Sequence, residues 1–145
     1  MRAEVKSAIV VVADEARRFR RSHEAWLAAV ASRERVAERA DLRIAQATGG
    51  LTVDRWRCLC ERRRNNTIAE SRAVGRAVRA EATVRQAIGD ADYLRSGAAA
   101  AVRAAGADLA SSARALLRYG RLGQQLSGMT THELRRLARP IRTDV

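Results

Sequence analysis

Residues 5–51, VKSAIVVVADEARRFRRSHEAWLAAVASRERVAERADLRIAQATGGL, decide the fold. Val5, Ile9, Val12, Ala16, Phe19, His23, Trp26, Val30, Arg33, Ala37, Ala40, Ile44, Ala47 and Leu51 follow alternating steps of four and three, and twelve of these fourteen are apolar. A repeat held over more than six heptads describes a helix that presents a narrow seam to one or two partners. At 1.5 Å per residue such a helix reaches about 70 Å. Charges of both signs flank the seam, with Glu34 and Glu38 alternating with Arg35 and Arg39, as on a solvated coiled-coil surface. His23 and Arg33 are the polar members. Each reads either as a pH-sensitive or partner-binding position, or as a register-setting residue whose stem packs while its head reaches water.

Thr48-Gly49-Gly50 ends this helix, because glycine readily takes the left-handed conformation found at helix C-termini. Thr52 then offers a capping hydroxyl, and Asp54 falls where the helix dipole favours an acid. A short turn between two long helices makes an antiparallel hairpin. Trp56, just past the turn, is placed to close the tip against Ile44, Ala47 or Leu51. The run Glu61-Arg62-Arg63-Arg64-Asn65-Asn66 breaks the apolar pattern for nearly two turns. There either the seam loosens or one arginine lies along it. The run suits an acidic partner or phosphates, and equally a solvated face.

The seam resumes as Val74, Ala77, Glu81, Val84, Ile88, Ala91, Arg95, Ala98, Val102, Ala105, Leu109, Ser112, Leu116, Tyr119, Gly123 and Leu126. Most of its residues are small or medium, with Glu81, Arg95 and Ser112 as polar breaks, and each buried methylene contributes only about 0.8 kcal/mol, so this half holds less tightly. Gly89, Gly97 and Gly106 each cost about 1 kcal/mol relative to alanine in a helix interior. A break between Gly89 and Gly97, with Ser96 opening a third helix, and one continuous return helix are both compatible with the pattern. Gly120, Gly123 and Gly128 loosen the chain. Thr130-Thr131-His132-Glu133 reads as a capping box that starts a short helix ending before Pro140. The expectation is an all-α protein: a long antiparallel helical hairpin, or two-stranded coiled coil. It forms one domain over 1–145, with a helix over 5–48, a turn over 49–52, one or two return helices over 53–127 and a short helix over 131–139.

Composition supports this reading. The chain has 145 residues, of which thirty are alanine; 27 of its 28 basic residues are arginine; aromatics make up 3%. Strands favour β-branched and aromatic residues, the latter scarce here, whereas the alanine, arginine, glutamate and leucine that abound favour helix. Few large apolar side chains imply a small core, a poor basis for a compact enzyme. The apolar run from Ala8 to Ala13 is too short for a secretory leader, and no stretch approaches the roughly 20 apolar residues of a membrane span. A soluble, cytoplasmic protein without membrane insertion is expected. Cys58 and Cys60, two apart on a helix, point in different directions and do not bridge.

Chemistry-bearing motifs are missing. There is no P-loop, dinucleotide fingerprint or nucleophile elbow, and the residues three before His23 and His132 are Arg20 and Met129, not the glutamates of a di-iron bundle. The histidines and cysteines do not form a zinc pattern. No catalytic residue, cofactor or metal is expected, and His132 reads as a first-turn residue. The net charge of +12 gives nucleic-acid binding more weight. It is spread, at +3 over residues 1–50, +4 over 51–95 and +5 over 96–145. Between 111 and 142 seven arginines face Glu133 alone, which makes this end the electropositive pole. With few aromatics to stack on bases, phosphate contact without sequence reading is the mode such a chain would use.

The segment Gly50-Leu51-Thr52-Val53-Asp54-Arg55-Trp56-Arg57 resembles the central-stalk proteins of flagellar and type III secretion export ATPases (FliJ/YscO-like). The family's closing basic helix is similar to His132-Glu133-Leu134-Arg135-Arg136-Leu137-Ala138-Arg139. The chain departs from the family in its alanine and glycine content after Ile88. The resemblance implies two long antiparallel helices and no catalysis. It implies paired chain ends entering the central hole of a hexameric ATPase, with the turn facing the export gate and substrate chaperones. By position, Arg135, Arg136 and Arg139 would meet the ATPase, and Arg55, Trp56, Arg57 and Leu59 would lie near the gate. The alternatives are an arginine-rich helical module coating nucleic acid without sequence specificity, and a phage or particle structural subunit.

Overall fold

The computed structural model describes residues 2–65 and 72–139. Within them every regular element is helical: α1 (Arg2–Thr48), α2 (Val53–Arg64), α3 (Arg72–Arg79), α4 (Glu81–Leu117), α5 (Gly120–Ser127) and α6 (Thr131–Ala138). The fold is all-α. The chain divides into two compact units, Met1–Ala31 with Ala99–Val145, and Ser32–Ala98.

In the first unit the seam of α1 meets α4. Val12, Ala16 and Phe19 are buried with Leu109, Ala113 and Leu116, and Leu134 of α6 completes the cluster. Burying one such Val, Leu or Phe side chain contributes about 1.5–3 kcal/mol. Ser22 Oγ lies 3.2 Å from Ser112 Oγ, and one turn further along α1 Trp26 packs against the cluster that contains Leu109. Partner numbers fall as α1 numbers rise, so the two helices run antiparallel.

After Leu117 the chain folds back. Gly123 makes the close approach, because a Cβ there would stand 2.2 Å from the Leu116 carbonyl oxygen. Gly120, Gly123 and Gly128, expected to loosen the chain, instead frame the short helix α5, which Gly128 caps at φ 72°. Thr130 Oγ1 accepts from the Glu133 amide at 3.1 Å and caps α6. Arg114 Nη1 donates to the Ala138 carbonyl at 3.2 Å at the other end, where a cation complements the helix dipole. Arg139, the C-cap, takes extended backbone (φ −69°, ψ 135°). Pro140, expected to stop this helix, lies outside the described residues.

The second unit is built around the turn. Gly49 and Gly50 have φ of 68° and 93°. The Gly50 amide donates to the Ala45 carbonyl at 2.7 Å and the Gly49 amide to that of Gln46 at 3.4 Å. These are the paired bonds of a Schellman stop. The buried Thr48 hydroxyl sits between the carbonyls of Ile44 (2.9 Å) and Leu51 (2.7 Å), tying the exit to the helix end. Thr52 Oγ1 accepts from the Arg55 amide at 3.2 Å and starts α2. Ala40 and Ile44 pack on Ala91 of α4.

The return strand of the hairpin breaks at places other than Gly89–Gly97. Helix α4 runs unbroken through Gly89, Gly97 and Gly106, and Ser96 starts no helix. A Cβ at Gly89 or Gly97 would meet nothing within 4 Å, so these glycines sit on open faces where only propensity is lost. The flanking alanines, the best helix formers, offset that loss. Interruptions fall after Arg64, at Ala80 and after Leu117. The last turn of α2 carries Arg62, Arg63 and Arg64, which suits its C-terminal dipole. Asn66, the end of the polar run, lies outside the described residues.

Candidate partner-binding surface

The expected contact residues separate into core and surface. Arg55 and Arg57 are exposed. Trp56 and Leu59 are 1% and 5% exposed, packed with Cys60, Ala77, Val78 and Val84, and bordered by Ala47, Leu51 and Ile88. The expectation that all four residues face a partner is corrected for these two: they lie on the inward stripe of α2, and their burial clamps α2 onto α3 and the start of α4. The expected tip closure by Trp56 is met at Ala47 and Leu51, while Ile44 belongs to the neighbouring cluster. The indole is satisfied, with Nε1 donating to the Ala77 carbonyl at 3.2 Å.

A charged cluster covers this core. Glu81 Oε1 accepts from Arg64 Nη2 at 2.6 Å and Arg85 Nη2 at 2.9 Å. The Arg85 guanidinium stands 5.9 Å from the centre of the Trp56 ring. Hydrogen bonds from Arg85 and Arg64 hold the Glu81 carboxyl below its usual value. The Cys60 thiol is pushed up, chiefly by burial and further by Glu81, against the pull of Arg64, Arg85 and Arg63. A buried thiol with a raised pKa is a poor nucleophile. The hollow beside it, about 260 Å³, is lined by Trp56, Arg57, Cys60, Glu61, Arg64 and Arg85. Cys58, exposed, and Cys60 are both free thiols.

The polar breaks at Arg95 and Ser112 find partners in place. Arg95 pairs with Asp41 across the hairpin and lies 3.8 Å from Asp92. Ser112 Oγ donates to the Asp108 carbonyl at 3.0 Å and meets Ser22. His23 stacks between Phe19 (5.9 Å, 10°) and Trp26 (6.4 Å, 15°). Arg33 is exposed, so its guanidinium leaves the seam for water.

The richest surface lies on the first unit around α6. Leu134 is 1% exposed and pins the helix to the α1–α4 core, while Arg135, Arg136 and Arg139 are exposed. Beside them runs a groove of about 530 Å³, lined by His23 and Trp26 of α1, Leu109 of α4, Met129, and Glu133, Arg136, Leu137 and Arg139. The Trp26 indole nitrogen is shielded from solvent and has no hydrogen-bond partner, a deficit that costs about 1–3 kcal/mol. Sequence reasoning found the arginines but missed the groove. Its only trace is the seam position of Trp26, opposite a stretch that becomes legible as a wall once α5 and α6 fold back.

A second basic surface, a shallow hollow of about 520 Å³, is lined by Arg17, Arg20, Arg21 and Glu24. Two of its arginines are engaged, Arg17 with Asp14 and Arg20 with the Leu126 carbonyl at 3.0 Å. Among the described residues no group of three or more His, Cys, Asp or Glu side chains is arranged to hold a metal ion. No helix of the described residues is long and apolar enough to cross a membrane. No family model, curated protein or solved structure matches this chain.

Proposed function

We propose that this chain is a non-enzymatic coupling component of a protein-export machine. In this reading α6 docks on the acidic inner surface of a hexameric export ATPase, and the tip arginines Arg55 and Arg57 meet the export gate or substrate chaperones. The observation that carries the reading is the construction of α6. A short capped helix is pinned by Leu134 and holds Arg135, Arg136 and Arg139 in water, on the unit that contains the starts of α1 and the end helices of the chain. Arginine heads on a rigid support suit recognition of carboxylates, since less side-chain entropy is lost on docking. The test is co-purification with the hexameric ATPase at moderate salt and a change in ATP turnover on adding the protein. A protein that neither binds nor alters turnover refutes the reading.

The Arg17–Arg20–Arg21 hollow favours a second reading, phosphate-backbone binding without sequence preference. Affinity for duplex DNA falling steeply with salt, with a slope scaling to several phosphates, would support it. The engagement of Arg17 and Arg20 within the protein weighs against it.

A further inference from the structure

We propose that the groove between α1, α4 and α6 is a docking site for an amphipathic acidic segment of a partner protein, bound as a helix laid along α6. The proposal rests on reading α6 as the docking helix and names the chemistry of what it receives. The floor is apolar and aromatic: Trp26, Leu109 and Leu137, with Met129 at the link between α5 and α6. A flexible thioether there adapts to the shape of an inserted side chain. The rim carries Arg136 and Arg139 against the single acid Glu133, and among the described residues neither guanidinium has a carboxylate partner.

Charge complementarity selects the occupant. A phosphate backbone would engage the arginines but leave the apolar floor bare, and an uncharged apolar helix would leave both guanidinium groups unpaired. An acidic amphipathic helix satisfies both parts, with leucine-type anchors on the floor and carboxylates on the rim.

The experiment is an NMR titration of the full chain labelled with ¹⁵N. The probe is a synthetic peptide with leucine at alternating third and fourth positions and glutamate between them. The two indole resonances are assigned with Trp26→Phe. The expected result is that the Trp26 indole signal moves while that of Trp56, bonded to Ala77 in the other unit, does not. Arg136→Gln with Arg139→Gln, its fold verified by circular dichroism, weakens binding by about tenfold, as loss of charge-assisted contacts does. Arg17→Gln with Arg21→Gln leaves binding unchanged.

The proposal is overturned by no Trp26 shift, by an equal shift from polyglutamate lacking leucine, or by equal weakening in the Arg17/Arg21 variant. A Trp26 shift that grows with protein concentration without peptide assigns the groove to a second copy of the chain, and also overturns it. Stimulation of the ATPase by a protein that ignores the peptide rejects the groove and leaves the coupling role standing. Peptide binding without any effect on the ATPase does the reverse.

Discussion

The Trp56 indole donates to the Ala77 carbonyl at 3.2 Å, across 21 positions of chain, and joins α2 to α3 through a fully buried ring. Helices this short are marginal alone, so their stability comes from this packing. Trp56→Ala is expected to lower unfolding free energy by about 3–5 kcal/mol. Trp56→Phe, which keeps most of the ring and strands the carbonyl, should cost about 1–3 kcal/mol. Urea unfolding followed by circular dichroism measures both. Equal losses would mean that the hydrogen bond, not the packing, dominates.

Glu81 predicts an acid-labile tip. Its folded pKa lies below the ordinary value of 4.5 because Arg85 and Arg64 donate to it. The sign follows: the contribution is fully present above the unfolded value and is lost as pH falls through the folded one. Stability should therefore decline as pH drops below about 4.5. Glu81→Gln should flatten that decline, and high salt should weaken the effect because the cluster is exposed to solvent. An unchanged acid limb in the variant would remove Glu81 from the account.

Two glycine substitutions should act in opposite directions. Gly97→Ala, on an open face of α4, is expected to stabilise by up to about 1 kcal/mol. Gly123→Ala would drive a Cβ to 2.2 Å from the Leu116 carbonyl oxygen and should destabilise by about 1–3 kcal/mol. Thermal unfolding distinguishes the two. Stabilisation by both would show that α5 does not press on the end of α4.

The two cysteines should differ in reactivity. Cys58 is exposed, and Cys60 is buried with its thiol pushed up. Mass spectrometry after brief iodoacetamide treatment of the native protein should find Cys58 modified well before Cys60, with the difference vanishing in denaturant. Equal rates would contradict the closed tip.

Much of the hairpin was legible because one period ran through it. Val12, Ala16, Phe19, Ala40 and Ile44, read as seam positions, are the buried face of α1. The stops at Gly49-Gly50 and the caps at Thr52 and Thr130 follow from local backbone chemistry, which sequence carries directly. The breaks in the return were less visible. Gly89 and Gly97 looked like weak points, but a glycine's cost in a helix is small and alanine neighbours offset it. The polar run near Arg62 carries no strong breaker, and whether such a run bends depends on tertiary packing. Burial of Trp56 was legible as tip packing, whereas its assignment to a partner surface came from the family resemblance. The groove at Trp26 needs the fold-back of α6, which no periodicity encodes.

Coupling through the arginines of α6 is read out by ATP turnover of a hexameric export ATPase with and without this protein. The wild-type chain should raise turnover, and Arg135→Glu with Arg136→Glu should abolish the effect while leaving helicity unchanged. Normal stimulation by the double variant, or none by the wild type, would contradict it.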